Sequence, residues 1–242
     1  LMNAGKQQVV VMGKILNDDQ KQALLWDVER GIPDRPQARH WQTCTCIGDW
    51  HYNQSTYNNN RYKSAAHVIR MLVDIVSKNG NLLLSVPVRA NGTIDEKEEA
   101  IVKGIGAWMR VNQQSIYSTR PWKTFGEGPL AEAVNPMTGQ GFNEGIKYSA
   151  KDVRYVVRKD TVFATIMAWP EAVMYSLKAL AKKSPYYSGK VAKVTLLGHG
   201  TGKFKQTNDA LLVDVPATHP NEIAPVFQVN FRKYIPTNQA TK

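Results

Sequence analysis

Glu29 is the residue whose type and position are best suited to chemistry. It follows the largely apolar run 24–28 and directly precedes Arg30 and a glycine. A carboxyl group at the end of an apolar strand is partly desolvated, which favours its protonated form and suits a general acid. The same position also suits a structural ion pair with an arginine. Position alone leaves both interpretations open.

Three other side chains are candidates for contact with a ligand. Arg30 either contacts a substrate or forms an ion pair with Asp34. Trp50 and His51 belong to an aromatic cluster on an expected loop, which suits stacking against the C–H faces of a sugar. The alternative for this cluster is a loop that packs on the rim of the protein. His51 has no carboxylate or nucleophile paired with it in the sequence, so we place it among the binding residues.

These side chains are positioned by alternating strands and helices in the first half of the chain. The apolar patterning predicts strands over 9–15, 23–28, 41–47 and 82–88, and helices over 64–78 and 95–111. Strand–helix alternation with short linkers is typical of a parallel α/β sheet or a (β/α) barrel, where ligand-facing residues lie at the carboxyl ends of the strands. The units are too few to close an eight-stranded barrel. Residues 1–120 are therefore expected to complete something larger.

The pattern changes after Trp122. Residues 122–145 are rich in Gly and Pro and are expected to form a linker. Period-two alternation then predicts a β-hairpin over 153–167 and further strands over 191–197, 210–215 and 226–231. Short strands separated by turns are typical of an antiparallel β-sandwich. We therefore predict two domains: residues 1–122 are the C-terminal part of a (β/α)8-like barrel, and residues 123–242 are the linker and a β-sandwich.

Composition excludes several classes of function. The 242 residues carry a formal net charge of +11, but Lys and Arg are scattered and no nucleic-acid-binding motif accompanies them, so a nucleic-acid partner is not expected. No apolar run reaches the roughly 20 residues that span a bilayer. Cys44 and Cys46 are expected to be free thiols, because a zinc site would need more ligands nearby. No metal and no cofactor is expected.

A series of motifs runs in order through residues 14–128. The series includes VERGIPD at 28–34, WQTC at 41–44, GDWHYN at 48–53, LVDIVSKNGNLLL at 72–84 and IYSTRPW at 116–122. This series resembles the late barrel strands of the α-L-fucosidases, family 29 of the glycoside hydrolases. Residues 129–242 match this family as the β-sandwich that follows its barrel.

The resemblance implies a retaining reaction in which an Asp attacks the anomeric carbon and a second carboxylic acid protonates the leaving oxygen, then activates water. It assigns the acid/base role to Glu29 and places Trp50 against the apolar methyl group of fucose. The nucleophilic Asp of the family lies on an earlier strand in a Trp-x-Asp context, and no such motif precedes Glu29. Asp27 is too close to Glu29 to oppose it across a sugar. The nucleophile is therefore expected outside this chain.

The resemblance also implies partners and leaves alternatives. The expected partners are a fucosylated oligosaccharide or glycoconjugate and the missing N-terminal half of the barrel, on the same or a separate chain. The compartment is not determined by the sequence, although members of the family are usually secreted, periplasmic or lysosomal. The main alternative is a non-catalytic carbohydrate-binding protein that carries a β-sandwich module.

Overall fold

The computed structural model describes residues 9–133 and 141–232. The first part of the chain alternates strands and helices: β1 (Met12–Gly13), α1 (Gln20–Ala23), β2 (Leu25–Glu29), β3 (Trp41–Cys46), α2 (Gln54–Asn58), α3 (Ala65–Ser77), β4 (Gly80–Ser85) and α4 (Glu96–Asn112). Strands β1 to β4 pair in parallel, in that order. The expected parallel α/β part is therefore present.

The second part is almost entirely strands. Its elements are β5 (Arg120–Glu127), α5 (Pro129–Glu132), β6 (Val153–Arg158), β7 (Thr161–Ile166), β8 (Met174–Leu177), β9 (Val191–Leu196), β10 (Gly200–Thr201), β11 (Phe204–Gln206), β12 (Leu211–Asp214) and β13 (Val226–Phe231). One antiparallel sheet has the order β10-β9-β13-β7-β6-β5 and the other has β11-β12-β8. The predicted hairpin is confirmed, since β6 pairs with β7 across a turn in which Lys159 has a positive φ of 55°.

Helix α3 covers one face of the parallel sheet. The side-chain oxygen of Ser64 accepts a hydrogen bond from the His67 N–H and caps the helix start. Its apolar stripe, including Met71 and Ile75, packs on Val28 of β2 and on other buried side chains of the sheet. Residues that alternate with this buried set point to the opposite face. On that face of β4, Leu83 is 52 % exposed.

Strand β1 differs from its prediction. The β-branched run over 9–15 predicts a buried strand, but the structure has only the two-residue strand Met12–Gly13. Val10 is 68 % exposed and Ile15 is 76 % exposed. The physical reason is that β1 is an edge strand, and among the described residues only β2 pairs with it. The apolar run therefore has no second layer to pack against.

The two antiparallel sheets pack around one large apolar core. Its members include Tyr155 and Val157 of β6, Leu177 of β8, and Val213 and Val229 of β12 and β13, all almost fully buried. Each sheet contributes the alternate residues of its strands, which is the arrangement that period-two patterning predicts. None of the helices in the described part of the chain is long and apolar enough to cross a membrane.

A buried charged network joins helix α3 to strand β6. Asp74 has no exposed surface and accepts hydrogen bonds from Arg154 Nε, from Lys78 Nζ at 2.9 Å and from the Tyr148 hydroxyl at 3.0 Å. Burial alone would raise the pKa of Asp74, but the two cations outweigh it and lower that pKa to about 2. The carboxylate therefore links the parallel and the antiparallel parts of the chain.

Glu98, in the first turn of α4, is a buried carboxyl that lacks the cationic partners of Asp74. It is 1 % exposed, and its Oε2 has no hydrogen-bond partner among the described residues. Burial, helped by the neighbouring Asp95 carboxylate, raises the pKa of Glu98 to about 7. The folded protein therefore holds this proton in a pH range where an unfolded chain has released it.

We expect the free energy of unfolding to fall by about 2–3 kcal/mol as the pH rises from about 4.5 to about 7, because the folded state binds one more proton than the unfolded state in this window. The Glu98→Gln variant should lose this component and be more stable than the wild type at pH 8. Urea unfolding at pH 5 and pH 8 measures both. Glu99→Gln, a partly exposed neighbour, is the control. An identical pH dependence in the wild type and Glu98→Gln contradicts the assignment.

Candidate active site

Glu29 is the last residue of β2, at the carboxyl end of the parallel sheet. Its side chain is 24 % exposed, and its Oε2 lies 3.4 Å from Lys14 Nζ. The sequence suggested an arginine as the structural partner, but the structure supplies a lysine that follows β1. Glu29 thus combines partial burial with access from the open face of the sheet, which are the conditions that a proton-transferring carboxyl needs.

Lys14 contacts three polar side chains, one of which is Glu29. Its ammonium lies 3.1 Å from Asp27 Oδ2 and 2.9 Å from Cys44 Sγ. Burial opposes the charge on Lys14, but the hydrogen bonds to Cys44 and Asp27 outweigh it and raise the pKa of Lys14. Gln42 donates to Asp27 Oδ1 at 3.2 Å. Asp27 and Glu29 therefore lie side by side on one cation, and they do not face each other across a gap.

The backbone of Glu29 is held by a distant segment. The N–H of Phe142 donates to the Glu29 carbonyl at 3.1 Å. A Cβ on Gly141, which has a φ of +138°, would lie 2.2 Å from that same carbonyl, and a Cβ on Gly31 would lie 2.6 Å from Gly141 Cα. Asn143 then accepts from the Ile32 N–H at 2.8 Å. Two glycines therefore let the two backbones touch and fix the end of β2.

Arg30 pairs with Glu144. Its Nε and Nη2 lie 2.8 and 2.7 Å from Glu144 Oε1. Glu144 also accepts from Thr45 at 2.5 Å and from Lys63 at 3.0 Å. Burial opposes the charge of Glu144, but these donors outweigh it and lower its pKa. Asp34, the partner suggested by the sequence, is not the ion-pair partner of Arg30 in the described residues.

Trp50 and His51 lie in the loop after β3, which is the strand next to β2. Trp50 is half-buried and His51 is exposed. Asp49 accepts from the Trp50 N–H at 2.8 Å and from Asn53 Nδ2 at 3.0 Å, and these bonds, that of Asn53 above all, lower the pKa of Asp49. Asn53 in turn caps α2. The loop is therefore locally ordered, and it follows the same end of the sheet as Glu29.

Two residues of this region were missed by sequence reasoning. Lys14 lies in a run interpreted as a buried strand, and Glu144 lies in the expected linker. The only signal in the sequence was that each is a charged residue in a segment to which we assigned no functional role. The described residues contain no group of three or more His, Cys, Asp or Glu side chains arranged to hold a metal ion.

Two family models match the chain in succession. The model for α-L-fucosidase matches residues 1–114, and the model for the α-L-fucosidase C-terminal domain matches residues 147–230. The tissue α-L-fucosidase of Mus musculus is 27 % identical over 196 residues, which are 79 % of this chain and 36 % of that protein. The α-L-fucosidase of Dictyostelium discoideum is 35 % identical over 92 residues, 38 % of this chain and 20 % of that protein. The chain thus spans about a third or less of these curated relatives.

Solved structures show the same fold. A family 29 α-L-fucosidase from Bacteroides thetaiotaomicron superposes with a TM-score of 0.67 at 21 % identity, covering 93 % of this chain and 49 % of that one. Isoenzyme 1 from Paenibacillus thiaminolyticus gives 0.63 at 24 % identity, with 86 % and 45 % coverage. Both family models describe fucosidases, so a non-catalytic carbohydrate-binding protein is not favoured. The chain belongs to the α-L-fucosidases, the family 29 glycoside hydrolases.

Proposed function

We propose that this chain forms part of a retaining α-L-fucosidase that releases terminal fucose from glycoconjugates, and that Glu29 is its acid/base. The observation that carries the proposal is the position of Glu29, which lies at the carboxyl end of a parallel strand in the part of the chain that matches the α-L-fucosidase model. In parallel α/β barrels this end of the sheet holds the catalytic groups. The partial exposure of the carboxyl on an uncovered face supports the same role.

The proposed reaction has two steps. An Asp outside these 242 residues attacks the anomeric carbon while Glu29 donates its proton to the leaving oxygen, which breaks the glycosidic bond and forms a fucosyl-enzyme. Glu29 then removes a proton from water as the water oxygen displaces the Asp, which releases fucose with retained configuration. The Lys14 ammonium, 3.4 Å away, stabilises the carboxylate that Glu29 becomes between the two steps.

Trp50, Arg30 and His51 have proposed roles around this centre. Trp50, half-buried after β3, supplies an apolar surface for the methyl group of fucose. His51 is exposed and offers its ring nitrogens to a sugar hydroxyl. Arg30 is engaged with Glu144, so we assign its effect on the reaction mainly to holding the end of β2, with its remaining N–H groups open to a substrate.

The architecture that we propose is part of an eight-stranded (β/α) barrel, with a domain boundary near residue 122, followed by a β-sandwich. Support comes from the open parallel sheet, since such sheets are normally covered on both faces. An apolar groove of about 440 Å³ also runs beside β4 between α3 and α4, lined by Leu72 and Met109 among others. An N-terminal barrel half, on the same or a separate chain, would cover this groove and supply the nucleophile.

The test is an assay of the protein expressed from its full reading frame. We expect it to hydrolyse 4-nitrophenyl α-L-fucoside, and NMR of the first-formed fucose should show the α anomer. The 242-residue chain alone should show no turnover, because it lacks the nucleophile. A β-anomeric first product would contradict the retaining mechanism. A full protein that is folded but inactive on α-L-fucosides would contradict the fucosidase proposal.

A further inference from the structure

An open cavity of about 440 Å³ lies just outside the strand ends that carry Glu29 and Trp50. We name it the rim cavity. Its polar lining comes from the ends of β2 and β3, the start of α3 and the distant segment that holds β2, and it includes Arg30, Gly48, Arg61, Lys63, His67 and Glu144. The two reaction steps proposed above do not use this cavity.

The rim cavity is rich in positive charge. Arg30, Arg61 and Lys63 line it, and Glu144 is the one carboxylate among the described residues of its lining. Asp49 is close enough to act electrostatically on Arg30, but its oxygens already accept from Asn53 and Trp50. The cavity also borders the amino-terminal end of the 13-residue helix α3, whose dipole adds to the positive potential.

Donor groups remain after the contacts within the protein are counted. A guanidinium has five N–H groups. Arg30 uses its Nε and Nη2 on Glu144, and Arg61 uses its Nη2 on Ser55 Oγ at 2.9 Å. No other hydrogen bond or ion pair of these two guanidiniums lies among the described residues. Arg30 and Arg61 both line the cavity and keep N–H groups that these contacts do not use, which suits an oxyanion.

The rim cavity and the proposed acid Glu29 lie at the same end of the sheet. A general acid protonates the glycosidic oxygen, so the sugar that leaves must sit beside Glu29. Arg30 follows Glu29 directly in the chain, and Gly48 is two residues before Trp50. Because Arg30 and Gly48 line the cavity, it lies at the same end of the parallel sheet as Glu29.

We propose that the rim cavity binds an oxyanion, a sulfate ester or a carboxylate, carried by the sugar from which fucose is removed. The assignment of that sugar rests on the proposed function, whereas the affinity of the cavity for an oxyanion does not. The protein would then prefer acidic fucosylated glycans over neutral ones.

His67 provides a direct readout. Burial and the nearby Lys63 hold the pKa of His67 below its usual range. An anion in the cavity would offset the positive potential and raise that pKa. The ring resonances of His67, followed by NMR as a function of pH, therefore report occupancy independently of enzyme activity.

The experiment titrates the full chain with N-acetylglucosamine 6-sulfate, glucuronic acid and neutral N-acetylglucosamine, at low salt. We expect at least one charged sugar to shift the His67 resonances and raise the pKa of His67. The charged sugar with the higher affinity then shows whether the cavity prefers a sulfate ester or a carboxylate. The neutral sugar should bind about tenfold more weakly or not at all. Arg61→Gln should weaken binding of the charged sugar by about fivefold or more. Lys193→Gln removes the same charge from an exposed side chain on β9. This control should change the affinity for the charged sugar less than twofold.

Three results would overturn the proposal: no shift of His67 with either charged sugar, equal binding of the neutral sugar, or equal weakening by Arg61→Gln and Lys193→Gln. The last would show that only the net charge attracts the ligand. Oxyanion binding in a protein that does not hydrolyse fucosides would support the cavity and defeat the fucosidase proposal. Fucoside hydrolysis without oxyanion binding would support the fucosidase proposal and defeat the proposal for the cavity.

Discussion

The Glu29→Gln variant of the complete protein is expected to lose about 10²–10⁴-fold in kcat/KM on a natural fucoside, the usual contribution of a positioned general acid. On 4-nitrophenyl α-L-fucoside, kcat/KM should fall by less than about tenfold, because an aryl leaving group needs little protonation. The kcat on the aryl substrate should still drop, since Glu29 is also the base that activates water in the second step. Steady-state kinetics on the two substrates give all three quantities.

The structure makes this comparison necessary because Glu29 also pairs with Lys14. A purely structural Glu29 would disturb the site equally for both substrates. Equal losses in kcat/KM on the natural and the aryl fucoside would therefore reject the acid assignment. Glu171→Gln, an exposed glutamate in the antiparallel part of the chain, is the matched control and should leave both values unchanged.

The largest loss of stability is expected from Asp74→Asn. The substitution keeps the shape of the side chain but leaves Arg154 and Lys78 as buried cations without their counter-charge. Breaking a buried ion pair from one side typically costs about 3–5 kcal/mol. Urea unfolding at pH 7 should show this loss. Asp209→Asn, on an exposed turn, should stay within about 0.5 kcal/mol of the wild type.

The acid dependence of stability gives an independent check on Asp74. Its pKa is about 2 in the folded protein and about 3.9 in an unfolded chain. Between these values the unfolded state binds the extra proton, so the stabilisation is complete above about pH 4 and is lost as the pH falls towards 2. Asp74→Asn should lack this component, worth about 2.6 kcal/mol. A variant that matches the wild type in both measurements would show that the network carries little stability.

Local patterns in the sequence predicted much of the fold. Helix α3 was expected over 64–78 and is found at Ala65–Ser77, because its apolar spacing, its serine cap and the Asn79-Gly80 stop are all local features. The hairpin of β6 and β7 was predicted for the same reason. The linker expected from residue 122 begins as strand β5, Arg120–Glu127. Its sequence does not alternate between apolar and polar residues as a half-buried strand does. Local patterning could not predict its pairing with β6, because that pairing depends on the tertiary structure.

The sequence by itself determined the order of a parallel α/β part and an antiparallel part, the family motifs and the position of Glu29 at a strand end. Tertiary structure alone decided which groups surround that carboxyl. Lys14 reaches it from the neighbouring strand, and the segment that includes Gly141 and Glu144 returns from more than 100 residues away to hold β2. Patterning reports which face of an element is apolar, whereas the partner of a charged side chain depends on which distant backbone comes near it. That return also brings Glu144 and Gly145 into the lining of the rim cavity.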